Sequence, residues 1–156
     1  MTKTALKDVK IRRAEPHDKA NIIKLIIELA EFEKLEPPNE EARKRLIKEA
    51  FSLNPSFEIL VADKKGGILG YAFYFFTFSS FKALKTLYLE DIFVTEKYRS
   101  EGIGKLFLKE LKDIAKKNKC GRMEWCVLNW NVNAIEFYNK LGAKPMNEWT
   151  WYRLEL

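Results

Sequence analysis

The sequence has only two cysteines and one histidine among its 156 residues. Cys120 and Cys126 form no C-x-x-C pair, and they have neither metal-ligand spacing nor the density of a secreted disulfide scaffold. His17 has no cysteine or histidine partner at ligand spacing, so a surface role at the start of a helix is favoured over metal binding or catalysis. We therefore expect reduced thiols and no metal site.

Long hydrophobic runs are also lacking. The N-terminal residues contain no continuous apolar segment before Asp8, which predicts neither a signal peptide nor a membrane anchor. Together with the reduced thiols this favours a cytoplasmic location. No repeat, low-complexity segment or domain boundary is visible, so residues 1–156 are expected to form a single domain with a sizeable core.

Positive charge is in excess, with 28 lysines and arginines against 22 acids and a net charge of +6. Because the lysines are spread along the chain, a polyanionic small ligand explains this charge as well as nucleic acid does. Acids nevertheless dominate residues 28–41. This patch is interpreted as a solvated helix face, with the alternative that one or two of its acids, together with Phe32, meet a cationic substrate.

Periodicity predicts ten elements in the order β α α β β β α β α β. Residues 57–94 are expected to form three antiparallel strands, followed by a strand-helix-strand unit with a parallel, right-handed connection. The order implies an α/β fold with a mixed sheet and helices on both faces. The predicted strands are 9–13, 57–62, 68–78, 87–94, 123–128 and 149–156, and the predicted helices are 16–35, 40–51, 102–118 and 133–141.

An R-x-x-G-x-G turn at residues 99–104 lies where the strand 87–94 gives way to a helix. It is neither a Walker motif nor a full G-x-G-x-x-G fingerprint. Uncovered amide groups at the positive end of a helix dipole can receive phosphate oxygens, and Arg99 and Lys105 would add charge. The alternative is a glycine-assisted turn without a ligand.

Two further segments, Asn131-x-Asn133-Ala134-x-x-Phe137-Tyr138 and Leu141-Gly142-Ala143, follow that turn. Together the three segments resemble the GCN5-related N-acetyltransferases, in which acetyl-coenzyme A donates an acetyl group to an amine. Residues 28–35, 87–94 and 130–131 resemble, more narrowly, the branch that acetylates diamines, polyamines and thialysine. The resemblance covers essentially the whole chain and implies one N-acetyltransferase domain.

The resemblance implies a mostly antiparallel sheet whose strands splay at the coenzyme site. It also implies a homodimer formed through C-terminal strands, here residues 149–156. Pyrophosphate would lie on the helix turn and pantetheine along the preceding strand. The implied coenzyme-binding residues are Ile92, Phe93, Val94, Arg99, Ser100, Glu101, Gly102, Ile103, Gly104, Lys105, Asn131 and Asn133.

Two catalytic residues are implied for direct transfer without a covalent enzyme intermediate. A primary amine is mostly protonated at neutral pH, so a base is useful, and Glu90 is the candidate, with a strand-end structural acid as the alternative. Tyr138 is the family-matched proton donor to the leaving thiolate. Asp91 is expected on the opposite face from Glu90 if the strand is regular, as a substrate or structural acid.

The predicted substrate contacts are Phe32, Glu33, Ser79, Phe81, Glu90 and Asp91. Polyamine-acetylating members carry an acid and a tryptophan where Ser79 and Phe81 stand, and a net charge of +6 steers a polycation poorly. A small mono- or diamine, or an amino acid with a side-chain amine, is therefore favoured over spermine. The alternatives are a protein N-terminal or lysine acetyltransferase, a non-catalytic acetyl-coenzyme A binder and a nucleic-acid-binding protein.

Overall fold

The computed structural model describes Leu6 and residues 8–156. The chain divides into two compact units: the first ends at Trp125, and the second is Cys126–Leu156. Each unit is described by itself, and the single domain expected over residues 1–156 stays a prediction. No helix of the described residues is long and apolar enough to cross a membrane.

The first unit is built on a five-stranded sheet in the order β1-β2-β3-β4-β5. The first four strands pair antiparallel, and β5 joins β4 in parallel, which confirms the predicted mixed, mostly antiparallel sheet. The strands are β1 (Lys10–Arg13), β2 (Glu58–Lys64), β3 (Gly67–Ser79), β4 (Leu84–Val94) and β5 (Arg122–Glu124).

The predicted helices form close to their expected bounds. They are α1 (Lys19–Glu33), α2 (Glu40–Ala50), α3 (Ile103–Lys117) and, in the second unit, α4 (Val132–Lys140). α1 ends at Lys34, whose φ of 60° is left-handed. At the start of α2 the side chain of Asn39 accepts a hydrogen bond of 2.9 Å from the Ala42 N–H and so caps the helix.

The core of the first unit lies on both faces of the sheet. On one face Ile22 and Leu25 of α1 pack in a cluster with Val61, Tyr71 and Phe93. On the other face lies the apolar side of α3, because alternation along the strands directs the remaining buried residues there. These residues are Leu60, Ala72, Leu87 and Leu89 from the strands, and Ile103, Phe107, Leu108 and Leu111 from α3.

A buried ion pair joins β1 to the turn that precedes α1. Asp18, only 1% exposed, accepts hydrogen bonds of 2.7 and 3.0 Å from the Arg12 guanidinium and one of 2.8 Å from the Glu15 N–H. Burial alone would raise the pKa of Asp18, but these hydrogen bonds outweigh it and hold the pKa below its usual value. Asp18 therefore stays ionised and fixes the entry to α1.

The pairing of β3 with β4 contains a bulge at Glu90. Tyr74 pairs with Leu89 and Phe73 pairs with Asp91, so β4 carries one extra residue at that point. A bulge breaks the alternation of side chains between the two faces of a sheet. The regular strand assumed from the sequence is therefore wrong at Glu90.

The pairing of β4 with β5 is short. It joins Thr86, Leu87 and Tyr88 to residues 122–124, and β5 ends at Glu124. The predicted strand over 123–128 was therefore too long. β4 continues to Val94 beyond its last partner in β5, so the edge of residues 89–94 that faces β5 is left without a strand beside it among the described residues.

The C-terminal prediction is wrong, because residues 149–156 form no strand. Their alternation of large apolar and polar residues favours a strand, but an extended segment is stable only when a neighbouring strand satisfies its backbone groups. Most of these side chains are exposed, for example Trp149 and Tyr152. The segment thus lacks the burial that a paired strand would give it.

Candidate active site

The bulge in β4 brings two carboxylates to one face of the sheet. Asp91 lies opposite Phe73 and reaches Tyr71, while Glu90 lines a groove with Phe73 and Phe75. Asp91 was expected on the opposite face from Glu90, and that prediction is wrong because the extra residue turns Glu90 to the same side. Two adjacent acids in β4 therefore face α1 together.

Burial and its neighbours shift the pKa of Asp91 toward neutrality. Loss of solvent and then the charge of Glu90 raise the pKa to about 6, with a smaller contribution from Glu33. A hydrogen bond of 3.2 Å from the Tyr71 hydroxyl acts in the opposite direction. Asp91 thus changes protonation within the range where a catalytic proton acceptor or a cation site is useful.

The third acid of this group is Glu33, at the last position of α1. Its pKa is raised by burial, and its charge acts on both Asp91 and Tyr71. Glu33, Glu90 and Asp91 are called the acid cluster below. Because the charges of Glu90 and Glu33 raise the pKa of Asp91, an ammonium group that arrives at the cluster relieves this repulsion.

Arg99 connects α1 to β4 through contacts with two aromatic rings. Its guanidinium carbon is 4.5 Å from the ring centroid of Phe32 and 5.2 Å from that of Phe93. Its Nε also donates a hydrogen bond of 2.9 Å to the Val94 carbonyl. Phe32 therefore contacts an arginine that was predicted to bind coenzyme, and this arginine also fixes the end of β4.

The predicted pyrophosphate turn forms the N-terminus of α3. Gly102 is the N-cap residue with a φ of 92°, and Ser100 has a φ of 63°, so the chain enters the helix through left-handed backbone. Gly102 has no side chain of its own, and the Leu6 side chain lies over it, with Cδ1 3.1 Å from the position that a Cβ would occupy. Lys105 is exposed one turn into the helix, although its own N–H bonds to the Gly102 carbonyl.

This turn and β4 have the features that coenzyme A requires. The turn supplies the positive end of a helix and an exposed lysine. Ile92, Phe93 and Val94 lie on the stretch of β4 beyond its pairing with β5. Glu101, Ile103 and Gly104 complete the turn, with Ile103 buried under it. The chain therefore fits the group that the sequence implied.

The second unit holds the other predicted coenzyme and catalytic residues. Asn131 caps α4, because its side chain accepts a hydrogen bond of 3.3 Å from the Ala134 N–H. Asn133 follows in the first turn and is exposed. Tyr138 is buried, and its ring lies 5.4 Å from that of Phe137. The side-chain oxygen of Asn131 is thus used to cap α4, whereas the side chain of Asn133 is exposed to solvent.

A family model decides the classification. The acetyltransferase (GNAT) family matches residues 23–143, which is more than half of the chain. The chain belongs to the acetyltransferase (GNAT) family. Its members transfer acyl groups to amines, so the chain is an N-acetyltransferase enzyme, as the sequence predicted.

Relatives that match nearly the whole of this chain agree with this classification. The thialysine N-epsilon-acetyltransferase of Bos taurus is 35% identical over 158 residues, covering 94% of this chain and 92% of that protein. The spermidine/spermine N(1)-acetyltransferase-like protein 1 of Homo sapiens is 37% identical over 154 residues, covering 94% of this chain and 22% of that protein. Both bear out the predicted resemblance to the diamine and thialysine branch.

Solved structures show the same GNAT fold. An integron cassette protein from the mobile metagenome of V. cholerae superposes with a TM-score of 0.80 at 27% identity, covering 95% of this chain and 93% of that one. Among the described residues of this GNAT chain, no group of three or more histidine, cysteine or acidic side chains could hold a metal ion.

Two predicted substrate residues of this GNAT chain lie away from the acid cluster. Ser79 ends β3 and is buried, where its hydroxyl accepts a hydrogen bond of 3.2 Å from the Lys82 N–H. Phe81 is fully exposed in the turn that follows. Ser79 is five residues along β3 from Tyr74, which pairs beside Glu90, and this spacing corresponds to about 17 Å. The structure therefore groups Glu33, Glu90 and Asp91 but leaves Ser79 and Phe81 at the far end of the hairpin.

Sequence reasoning missed four residues near the acid cluster. Tyr71 bonds to Asp91, and Phe57, Phe73 and Phe75 line the groove beside Glu90. Of the aromatic residues of β3, Tyr71 and Tyr74 are buried in the core, whereas Phe73 and Phe75 are only partly buried. Only the register of β3 against β4 shows which aromatic residues lie beside the acids, and composition carries no signal for register.

Proposed function

We propose that this N-acetyltransferase moves an acetyl group from acetyl-coenzyme A directly to a primary amine of a small molecule. The observation that carries the proposal is the acid cluster of Glu33, Glu90 and Asp91 on one face of β4. A cluster of this kind attracts an ammonium group and then offers acceptors for its proton. The relatives named for thialysine and for spermidine and spermine support a small-molecule amine as the acceptor.

The coenzyme half of the proposed site uses the α3 turn and the end of β4. The amides from Ser100 to Gly104 receive the pyrophosphate, Lys105 and Arg99 add positive charge, and residues 92–94 bind the pantetheine arm. Asn131 and Asn133 are the further residues that we propose to contact the coenzyme. When bound, acetyl-coenzyme A supplies the acetyl group as an activated thioester.

The protein's own part in the chemistry is proton transfer. An ammonium group with a pKa of about 10.4 must lose a proton before its nitrogen can attack. Glu90 accepts that proton, directly or through water, and Asp91 and Glu33 hold the cation beforehand. As the new C–N bond forms and the C–S bond breaks, Tyr138 donates a proton to the departing sulfur.

Glu90 and Asp91 differ in their exposure to solvent. Glu90 is exposed and therefore accessible to an incoming amine, whereas Asp91 is partly buried and bonded to Tyr71. Glu90 suits proton exchange with solvent, and Asp91 suits a fixed contact with the cation. Phe32 is 36% exposed beside Arg99, and we propose that it forms part of the wall of the amine site.

A screen of thiol release tests the proposal. The protein is incubated with acetyl-coenzyme A and, separately, with thialysine, lysine, ornithine, diamines, spermidine, spermine and peptides, and products are identified by mass. Acetylated free amines with stoichiometric thiol are the expected result. Activity confined to peptides would identify a protein acetyltransferase, and coenzyme binding without thiol release would identify a non-catalytic binder.

We also propose a cytoplasmic homodimer in which residues 149–156 contact a second copy. Five large apolar side chains of this segment are exposed: Trp149, Trp151, Tyr152, Leu154 and Leu156. Exposed apolar surface of this kind is typical of interaction sites. Light scattering after size exclusion should give a dimer mass that falls to the monomer mass in a Trp151→Ser/Leu154→Ser variant. A monomeric wild-type protein would contradict the proposal.

A further inference from the structure

An aromatic groove lies beside Glu90. Its phenylalanines have none of the roles assigned so far. Its lining consists of Ser56, Phe57, Phe73, Phe75 and Glu90. The rings of Phe57 and Phe73 are stacked with centroids 4.0 Å apart and an interplanar angle of 21°. All three phenylalanines are only partly buried, so ring surface remains accessible in the groove.

We propose that this groove binds the body of the acceptor and that the acceptor is a primary monoamine with an aryl or alkyl body. The inference rests on the proposed function, because it places the reacting ammonium at Glu90. Of the five lining residues Glu90 alone is charged, and it stands at the point where the groove meets the acid cluster. The lining thus offers a carboxylate to the ammonium group and aromatic surface to the rest of the ligand.

The chemistry of the lining discriminates between classes of amine. A second ammonium or a carboxylate placed among Phe57, Phe73 and Phe75 would lose its hydration without gaining an ionic partner from these rings. An aryl body gains instead, because it adds a ring to the stacked Phe57–Phe73 pair and covers exposed aromatic surface. A diamine held over a ring by a cation–π contact is the competing arrangement, and the test includes it.

The groove owes its position to the bulge. Phe73 pairs with Asp91, and Phe75 pairs with Tyr88, whose ring lies 5.1 Å from its own. Glu90 sits between these two pairs and is turned toward the same face. The residue proposed to accept the proton is therefore held next to the surface proposed to bind the body of the amine.

A chain-length series measures this binding. Acetyl transfer is followed as kcat/KM for ethylamine, propylamine, butylamine, pentylamine and 2-phenylethylamine, and for 1,4-diaminobutane and 1,5-diaminopentane. Each added methylene should raise kcat/KM by up to about fourfold, and 2-phenylethylamine should exceed ethylamine by at least about tenfold. Each diamine should be poorer than the monoamine of the same length.

Matched variants assign the effect to the groove. Phe75→Ala should lose most of the preference for 2-phenylethylamine over ethylamine, and Phe75→Leu serves if the alanine variant does not fold. Phe78→Ala is the control, because Phe78 is on the same strand but faces the other side and is exposed. It should retain the full preference.

The outcomes separate this inference from the function on which it rests. A flat chain-length series, a diamine preferred over its matching monoamine, or a preference that survives in Phe75→Ala would overturn the aromatic subsite and leave amine acetylation standing. Thiol release with none of the amines would overturn the proposed function and the subsite together.

Discussion

The hydroxyl of the buried Tyr71 donates a hydrogen bond of 3.2 Å to Asp91 across the β3–β4 pair. Asp91 otherwise has two acidic neighbours, Glu33 and Glu90, that disfavour its charge. The phenol therefore holds the carboxylate in one orientation and offsets part of the cost of ionising it. The reactivity of the acid cluster depends on this balance between one donor and two negative charges.

Glu90→Gln should lower kcat for amine acetylation by about a hundredfold, because the glutamine side chain cannot accept the proton that the attacking amine must lose. Steady-state thiol release with a good acceptor amine measures the effect. Glu148→Gln, an acid-to-amide change at an exposed position in the second unit, provides the control and should leave kcat unchanged. Equal rates in Glu90→Gln and wild type would show that Glu90 is only a structural acid at the bulge.

Tyr138→Phe should also lower kcat, by about ten- to a hundredfold, because the departing thiolate would lose its proton donor. The ring is kept, so the buried packing of Tyr138 beside Phe137 should be retained. In titration calorimetry the Tyr138→Phe variant should bind coenzyme A with the same affinity as the wild type. A variant with normal kcat would remove Tyr138 from the mechanism, and one with weakened coenzyme binding alone would assign it to positioning.

Replacing either cysteine by alanine should leave turnover within a few-fold of the wild type. Burial raises the pKa of Cys120, which leaves less of the nucleophilic thiolate at neutral pH. Direct transfer needs no acyl-enzyme, so neither Cys120 nor Cys126 has a step to perform. A folded variant that loses about two orders of magnitude in kcat would contradict direct transfer and indicate a covalent route.

Asp18→Asn should destabilise the fold by about 2 kcal/mol, because the charged hydrogen bonds to Arg12 are lost from a buried site. Urea unfolding at neutral pH measures the difference. The folded pKa of Asp18 lies below its unfolded value, so its contribution is present above about pH 4 and is lost as the pH falls further. Asp113→Asn in an exposed ion pair is the control and should change stability little. Equal stability of Asp18→Asn and the wild type at neutral pH would contradict this account.

The sequence predicted the order of the elements from β1 to α4, because periodicity is a local signal. It also predicted the position of the α3 turn, because strand and helix periods change there. These features depend on neighbours within a few residues.

The acid cluster could be predicted only in part. Glu33, Glu90 and Asp91 were each candidates, but their grouping requires the bulge in β4, and a bulge is a property of the register between two strands. The hydrogen bond from Tyr71 requires that register as well. The prediction of a strand over residues 149–156 was wrong for a related reason. Alternation indicates a strand, but it does not show whether a neighbouring strand is present to pair with it.

The pH dependence of kcat/KM tests the central claim, which is that the ionised acid cluster at Asp91 controls acetylation of the amine. Because the charged carboxylate is required, wild-type kcat/KM should fall as the pH drops below about 6, the pKa of Asp91. Tyr71→Phe removes a hydrogen bond that lowers this pKa, so the fall should begin at a higher pH. Glu33→Gln removes a charge that raises it, so the fall should begin at a lower pH. Opposite displacements in the two variants would support the account, and an unmoved profile in both would contradict it.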